Sequence, residues 1–179
     1  MVTKNATIEY ILFAHRDALG NDFERYHNHV YRVFNFALLM GKDTLTDNDT
    51  EALAIAAGFH DIGIWTHNTF DYLQPSMELA EKFLVDTGKE QLGEEVSLII
   101  DQHHKIGPYY GPYAETVETF RKADWLDVSL SAFAFGISRT QIREINAAFP
   151  YSGFHRFLVA QSFKNFVKHP SNPLPMFKR

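Results

Sequence analysis

The chain has 179 residues, which is the size of one domain and long enough to bury a sizeable core. Its 45% hydrophobic and 22% charged residues exclude a disordered chain, and its net charge of −5 excludes a bulk positive field for nucleic acid or anionic membranes. Because there is no cysteine, any metal site must use histidine and carboxylate ligands. The sequence has no signal-like start and no apolar run long enough to span a bilayer, so we expect a cytoplasmic protein without a membrane partner.

Apolar residues recur at intervals of three and four along most of the chain, and turn residues separate these periodic segments. The pattern predicts eight helices, over 6–18, 22–41, 48–61, 76–87, 92–104, 114–128, 138–148 and 154–168. These helices favour a single all-α bundle over 1–179, since no linker divides the chain. Pro170, Pro173 and Pro175 predict an irregular C-terminal tail.

The C-terminal part of the chain carries the sequence features that bear on partners. Five phenylalanines at roughly helical spacing predict either core or an oligomer interface, which leaves a homodimer open. They are Phe149, Phe154, Phe157, Phe163 and Phe166. The basic residues Lys164, Lys168, Lys178 and Arg179 form only a modest positive end, so no nucleic-acid partner is expected.

Histidines and carboxylates fall on faces of four predicted helices that should be buried. In 22–41, for example, His29 shares one face with Val33 and Ala37. The other members are the doublet His60-Asp61 at the end of 48–61, His103 in 92–104 and Asp124 in 114–128. A buried carboxylate is costly unless it is paired, protonated or bound to a cation. A helical bundle can bring such ligands together at one interior point. One divalent ion there, among Mn, Fe, Co, Ni, Zn and Mg, would compensate the buried imidazoles and carboxylates of all four helices.

Each of these residues also has a purely structural reading. Taken singly, a satisfied core histidine or an ion pair at a helix end would explain any of them. His27 is the alternative to His29 as a ligand, since the two lie about 200° apart around a helix and only one can point inward. His103 and His104 could be one buried and one exposed histidine. Arg32 could form a surface salt bridge instead of reaching a ligand.

The ordered set resembles the H…HD…D signature of the HD-domain superfamily of metal-dependent phosphohydrolases. The matching segments read His29-Val-Tyr-Arg-Val, Phe-His60-Asp61-Ile-Gly and Lys-Ala-Asp124-Trp. The motif core covers about 25–128, and the helices and proline-rich tail of 129–179 lie outside it. The resemblance implies an all-α bundle in which the four motif residues, His29, His60, Asp61 and Asp124, bind a metal ion. Water activated by this ion would attack a small phosphorylated, nucleotide-like molecule.

The chemistry expected at such a metal centre suggests roles for the neighbouring polar residues. Asp61 would be both a metal ligand and the group that orients the attacking water. His103 and His104 could hold the phosphate, protonate the leaving oxygen or complete a second metal position. Lys105 beside them would bind the phosphate, and Arg32 could reach it as a two-pronged donor.

The chain departs from the superfamily pattern at two positions that bear on its metal content and its mechanism. Two-metal branches carry a further histidine midway between the doublet and the histidine pair, whereas residues 74–78 here read Gln-Pro-Ser-Met-Glu. Related nucleotidases often have an acidic residue where this chain has Ile64, so the general acid must come from elsewhere. Two alternatives remain: an HD-type di-iron oxygenase, which the missing histidine argues against, and a non-catalytic domain that binds a nucleotide or a partner around a structural metal.

Overall fold

A computed structural model of the chain describes residues 1–172 and 174–178, the last of these by its backbone alone. Its α-helices are α1 (Ala6–Ala14), α2 (Arg16–Leu19), α3 (Phe23–Met40), α4 (Asp47–Phe59), α5 (Gly63–Thr66), α6 (Leu73–Asp86), α7 (Gly93–Gln102), α8 (Ala114–Val128), α9 (Arg139–Ala148) and α10 (Phe154–Lys168). Short 3-10 turns occupy Gly20–Asp22, Glu90–Leu92 and Pro175–Lys178. No strand occurs in these ranges, which confirms the predicted all-α fold.

Side-chain caps fix where several helices begin. The Asn5 side chain accepts the amide of Ile8 at the start of α1. At α4 the Thr46 hydroxyl accepts the Asp49 amide while the Asp49 carboxylate accepts the Thr46 amide, which is a complete capping box. Such caps supply partners for amides that have none within the first turn of a helix.

The structure departs from the predicted helices at two places. The predicted helix 6–18 is divided at His15, which ends α1 and precedes the short α2. No helix is predicted between residues 61 and 76, but this segment contains α5, and α6 begins at Leu73 rather than at residue 76. Pro75 is compatible with this early start because it lies in the first turn, where a missing amide breaks no hydrogen bond within the helix.

The long helix α3 runs through the molecule and packs against α4 and α8, while α7 packs against α4, α6 and α8. All residues of α3 from Asn28 to Ala37 are buried, as are all residues of α4 from Ala52 to Phe59. The buried face of α4 is rich in alanine, and a Cβ added at Gly58 would lie 2.9 Å from the Ile11 side chain. Small residues therefore let α1 approach α4 closely.

The five C-terminal phenylalanines that were predicted as core or interface lie partly in the core and partly on the surface. Phe149, Phe154 and Phe157 are buried, whereas Phe163 is 68% exposed and Phe166 is 51% exposed. The tail is more regular than predicted, since its last described residues form a 3-10 turn; Pro173 lies outside the described residues. Within the described part of the chain, no helix combines the length and apolarity needed to cross a membrane.

Candidate metal centre

Three helices bring the four predicted metal ligands to one buried point. His29 comes from the middle of α3, His60 and Asp61 directly follow α4, and Asp124 comes from α8. The Nε2 atom of His29 lies 3.0 Å from Nε2 of His60, 3.7 Å from Oδ2 of Asp61 and 3.5 Å from Oδ1 of Asp124. The His60 Nε2 atom lies 3.4 Å from the same Asp61 oxygen. None of the four residues is more than 4% exposed.

The proton positions of these imidazoles follow from their hydrogen-bond partners. Nδ1 of His29 lies 2.7 Å from Oδ2 of Asp127, and Nδ1 of His60 lies 2.9 Å from the carbonyl oxygen of Ala57. Because both partners are acceptors, Nδ1 must carry the proton, and Nε2 of the neutral ring then presents a lone pair. His103 repeats the arrangement, since its Nδ1 lies 2.7 Å from the Ile100 carbonyl oxygen. In the neutral form of each ring, the inward-facing nitrogen is thus an electron-pair donor.

This donor set fits a divalent cation. Ligand atoms placed about 2.1 Å from one ion stand about 3.0 to 3.5 Å apart in octahedral or tetrahedral arrangements, close to most of the separations seen here. Among the described residues, Oδ1 of Asp61, Oδ1 of Asp124 and Nε2 of His103 are buried without a hydrogen-bond partner. Lone pairs that face one another in a dry interior repel unless a positive charge lies between them. Imidazole nitrogens and carboxylate oxygens without thiolates suit Mn, Fe, Co, Ni and Zn.

Burial and mutual contact shift the protonation of these groups strongly. Burial lowers the pKa of His60 to about 3, so this ring is neutral at physiological pH. Burial acts to raise the pKa of Asp61, but the neighbouring imidazoles of His60 and His103 outweigh it and hold the pKa well below its usual range. Burial raises the pKa of Asp124 to about 6. Neighbouring carboxyl groups whose pKa values are shifted in opposite directions are typical of functional sites.

Asp127 and Arg32 form a buried ion pair that holds the His29 ring in place. The Asp127 carboxylate accepts from Nδ1 of His29 and from Arg32, whose Nε and Nη2 atoms lie 2.6 and 2.9 Å from its two oxygens. Although burial acts to raise it, these donors lower the pKa of Asp127 to about 2. The ring of Phe154 stacks on His29 with 4.0 Å between centroids. The orientation of His29 is therefore fixed from two sides.

The phosphate contact predicted for Arg32 does not fit this geometry. The side chain is fully buried, and its Nη1 atom donates to the carbonyl oxygens of Phe149 and Pro150 at 3.0 and 3.1 Å. Reaching a ligand would require Arg32 to break a buried two-pronged ion pair with Asp127. The alternative of a surface salt bridge also fails, because the pair is wholly internal. We assign Arg32 a positioning role that acts on His29 through Asp127.

Two further predicted residues, His103 and His104, lie along one side of the centre. Nε2 of His103 is 3.5 Å from Oδ1 of Asp61, and His103 is fully buried. His104 is partly buried, and its Nε2 atom lies 2.5 Å from the hydroxyl oxygen of Tyr72. Lys105 is partly buried next to them. His27, the alternative to His29, points away from the cluster and lies 3.2 Å from the Glu9 carboxylate.

The C-terminal turn covers this side of the centre. The Phe177 ring lies 5.2 Å from the His104 ring and 6.5 Å from the Trp125 ring, measured between centroids. Met176 is buried in a cluster with Tyr72. An apolar cleft of about 800 Å³ begins beside Trp125. Its aromatic walls are Tyr109, Tyr110, Trp125, Phe133 and Phe135.

Two residues of the site were not identified from the sequence. Asp127 lies one helical turn after Asp124, and this spacing on one buried face of α8 was a usable signal. Tyr72 had no such signal, because it precedes α6 in a segment predicted as a loop. Its position depends on a tertiary contact that no local pattern encodes.

The fold and the cluster define an all-α protein with a candidate metal centre built from histidine and aspartate. A family model for the HD domain matches residues 26–129, which is more than half of the chain, and the protein therefore belongs to the HD-domain family. Members of this family commonly are metal-dependent phosphohydrolases. No curated protein and no solved structure matches the chain at a significant level.

Proposed function

We propose that the protein is a metal-dependent phosphohydrolase that acts on a small phosphorylated, nucleotide-like molecule. The observation that carries this proposal is the 3.0 Å approach of two Nε2 atoms, those of His29 and His60, whose Nδ1 atoms are both held by acceptors. Two nitrogens at this distance need either a shared proton or a metal ion between them, and a divalent ion is also matched by the negative charge of the Asp61 and Asp124 carboxylates.

In this proposal the four residues would hold one divalent ion between rigid helices. Such an ion lowers the pKa of a bound water to about 7 and neutralises phosphoryl oxygens. His29 is locked by Asp127 and Phe154, so its Nε2 atom keeps a fixed direction. Pre-oriented ligands of this kind lose little entropy when the ion binds.

Asp61 and His103 are placed to take the proton of the attacking water. Oδ1 of Asp61 and Nε2 of His103 are buried acceptors 3.5 Å apart, and neither has a hydrogen-bond partner among the described residues. A proton that arrives at Nε2 of His103 converts the ring to an imidazolium next to the Asp61 carboxylate, which stabilises it. His103 is therefore the proposed general base and Asp61 the group that orients the water.

The phosphate end and the organic end of the substrate would lie on the covered side of the centre. In this proposal His104 and Lys105 would supply donors for the phosphoryl oxygens. The apolar cleft beside Trp125 offers aromatic surfaces to the organic part of the ester. Phe177 packs near both His104 and Trp125, so a substrate that reached from one to the other would have to displace this turn.

A phosphoester screen with Mn, Fe, Co and Mg tests the proposal. Asp124→Asn should lower turnover by more than about 100-fold, beyond the usual effect of losing a supporting residue around a metal. The matched control is Asp43→Asn, an exposed aspartate, which should leave turnover unchanged. If a phosphorylated ligand binds tightly but no metal supports turnover, the non-catalytic binding domain becomes the better assignment.

The remaining predictions about partners belong to this proposal. A homodimer is supported by the exposed apolar side chains of α10, which include Val159, Phe163 and Val167. A cytoplasmic location, without a membrane or nucleic-acid partner, is proposed from the sequence and its net charge.

A further inference from the structure

A second group of candidate ligands lies against the first. The potential ligand atoms of Asp61, His103 and His104 all lie within 4.8 Å of one another. Asp61 belongs to both groups, because its Oδ2 atom faces His29 and His60 while its Oδ1 atom faces Nε2 of His103. A carboxylate with its two oxygens turned to two clusters can bridge two cations about 3.5 to 4 Å apart. The number of ions that the protein holds therefore depends on this second group.

The side chain of Tyr72 lies directly on the second group. Its hydroxyl oxygen is 2.5 Å from Nε2 of His104, and it also interacts with the Asp61 carboxylate. Whichever group donates in the contact with His104, that Nε2 atom is engaged by the phenol. A cation bound to the same nitrogen would stand about 2.1 Å away along the same lone-pair direction, almost where the phenol oxygen already lies.

The fold holds Tyr72 firmly in this place. The Gly63 amide donates to the Ser76 hydroxyl at 3.0 Å, which ties the segment after Asp61 to the first turn of α6. A Cβ added at Gly63 would lie 2.6 Å from the Tyr72 carbonyl oxygen, so glycine is required for this close approach. The ring itself is only 2% exposed and packs in a cluster with Ile64 and Met176. The phenol cannot swing aside without disturbing several buried contacts.

We propose that the Tyr72 hydroxyl takes the place of a second cation and so limits the centre to one metal ion. This inference rests on the proposed function and deepens it, because a single ion with activated water suits hydrolysis. An oxygenase that uses two irons needs a second ion beside the first, and Tyr72 occupies that position. Tyr72 thus selects the metal number and positions His104.

Metal counting on Tyr72→Phe tests the inference, with Tyr113→Phe as the matched control because Tyr113 is exposed on the surface. The purified proteins are titrated anaerobically with Mn(II), and bound metal is measured by elemental analysis and by electron paramagnetic resonance. We expect one equivalent and the spectrum of isolated Mn(II) for the wild type and for the control. We expect two equivalents and the spectrum of an exchange-coupled pair for Tyr72→Phe.

A second variant covers the case in which Tyr72→Phe removes the hydroxyl but leaves too few ligands to hold a second ion. Tyr72→His removes the phenol and adds an imidazole beside Asp61 and His104, so it should bind the second ion more tightly than Tyr72→Phe does. A coupled pair in the wild type, or one equivalent in both Tyr72 variants, would overturn the role of Tyr72 and leave the proposed hydrolase intact. A wild-type protein that binds no Mn(II) would instead overturn the metal centre and the proposed function together.

Discussion

Replacing Asp127 with asparagine tests how the centre is supported. The carboxylate balances the buried charge of Arg32 and accepts the Nδ1 proton of His29. Breaking a buried ion pair by removing one partner costs about 3 to 5 kcal/mol. Asparagine keeps one acceptor oxygen at the same place, so we expect a loss near the lower limit, about 3 kcal/mol. In urea this loss should lower the unfolding midpoint by more than about 1 M.

The same variant should weaken metal binding through His29. Loss of a residue that orients a metal-binding histidine lowers affinity by about 10- to 100-fold, which a competing chelator can measure. Adding Arg32→Met to Asp127→Asn removes the uncompensated guanidinium, so stability should recover in part. Metal affinity should not recover, because His29 still lacks its carboxylate. Our assignment of Asp127 fails if Asp127→Asn is as stable as the exposed control Asp43→Asn, or if the double variant regains normal metal affinity.

Three further predictions address proton linkage, access and packing. Because burial raises the pKa of Asp124 to about 6, a cation must displace its proton at lower pH. Apparent Mn(II) affinity should therefore fall about tenfold per pH unit below pH 6 and level off above it, and a flat titration from pH 5 to 6 would contradict this. Phe177→Ala should speed metal removal by a chelator without changing affinity at equilibrium; unchanged kinetics would show that this turn does not control access. Gly63→Ala should destabilise the protein by about 1 to 3 kcal/mol in urea, since its Cβ would meet the Tyr72 backbone. Gly93→Ala is the control, because its Cβ would meet nothing within 4 Å and its φ of −61° suits alanine; equal effects of the two glycine changes would refute the packing argument.

The helix periodicity was sufficient to predict which way the main site residues point. His29 continues an apolar face of α3, and Asp124 continues one of α8, so the 3.6-residue repeat alone predicts that both are buried. The structure places them at one point with His60 and Asp61. A buried polar residue on an apolar face is informative because its desolvation must be compensated.

The supporting contacts could not be predicted in the same way. Arg32 looked like a candidate for binding phosphate because a long cation near a ligand can point to solvent or to the interior, and local sequence does not distinguish the two. Its partner Asp127 lies 95 residues away along the chain. Tyr72 is placed by the close approach of Gly63, which is also a tertiary contact. Contacts of this kind depend on how helices pack, and the helix pattern does not specify that packing.

The central claim is that the buried cluster of histidines and aspartates binds a divalent metal. Elemental analysis of protein purified without chelator tests it most directly, with His60→Ala/Asp61→Ala as the comparison and Asp43→Asn as the folded control. The account predicts about one equivalent of metal in the wild type and in the control, and none in the double variant. A wild type that carries no metal and binds none when it is offered, or a double variant that keeps the full amount, would contradict the account.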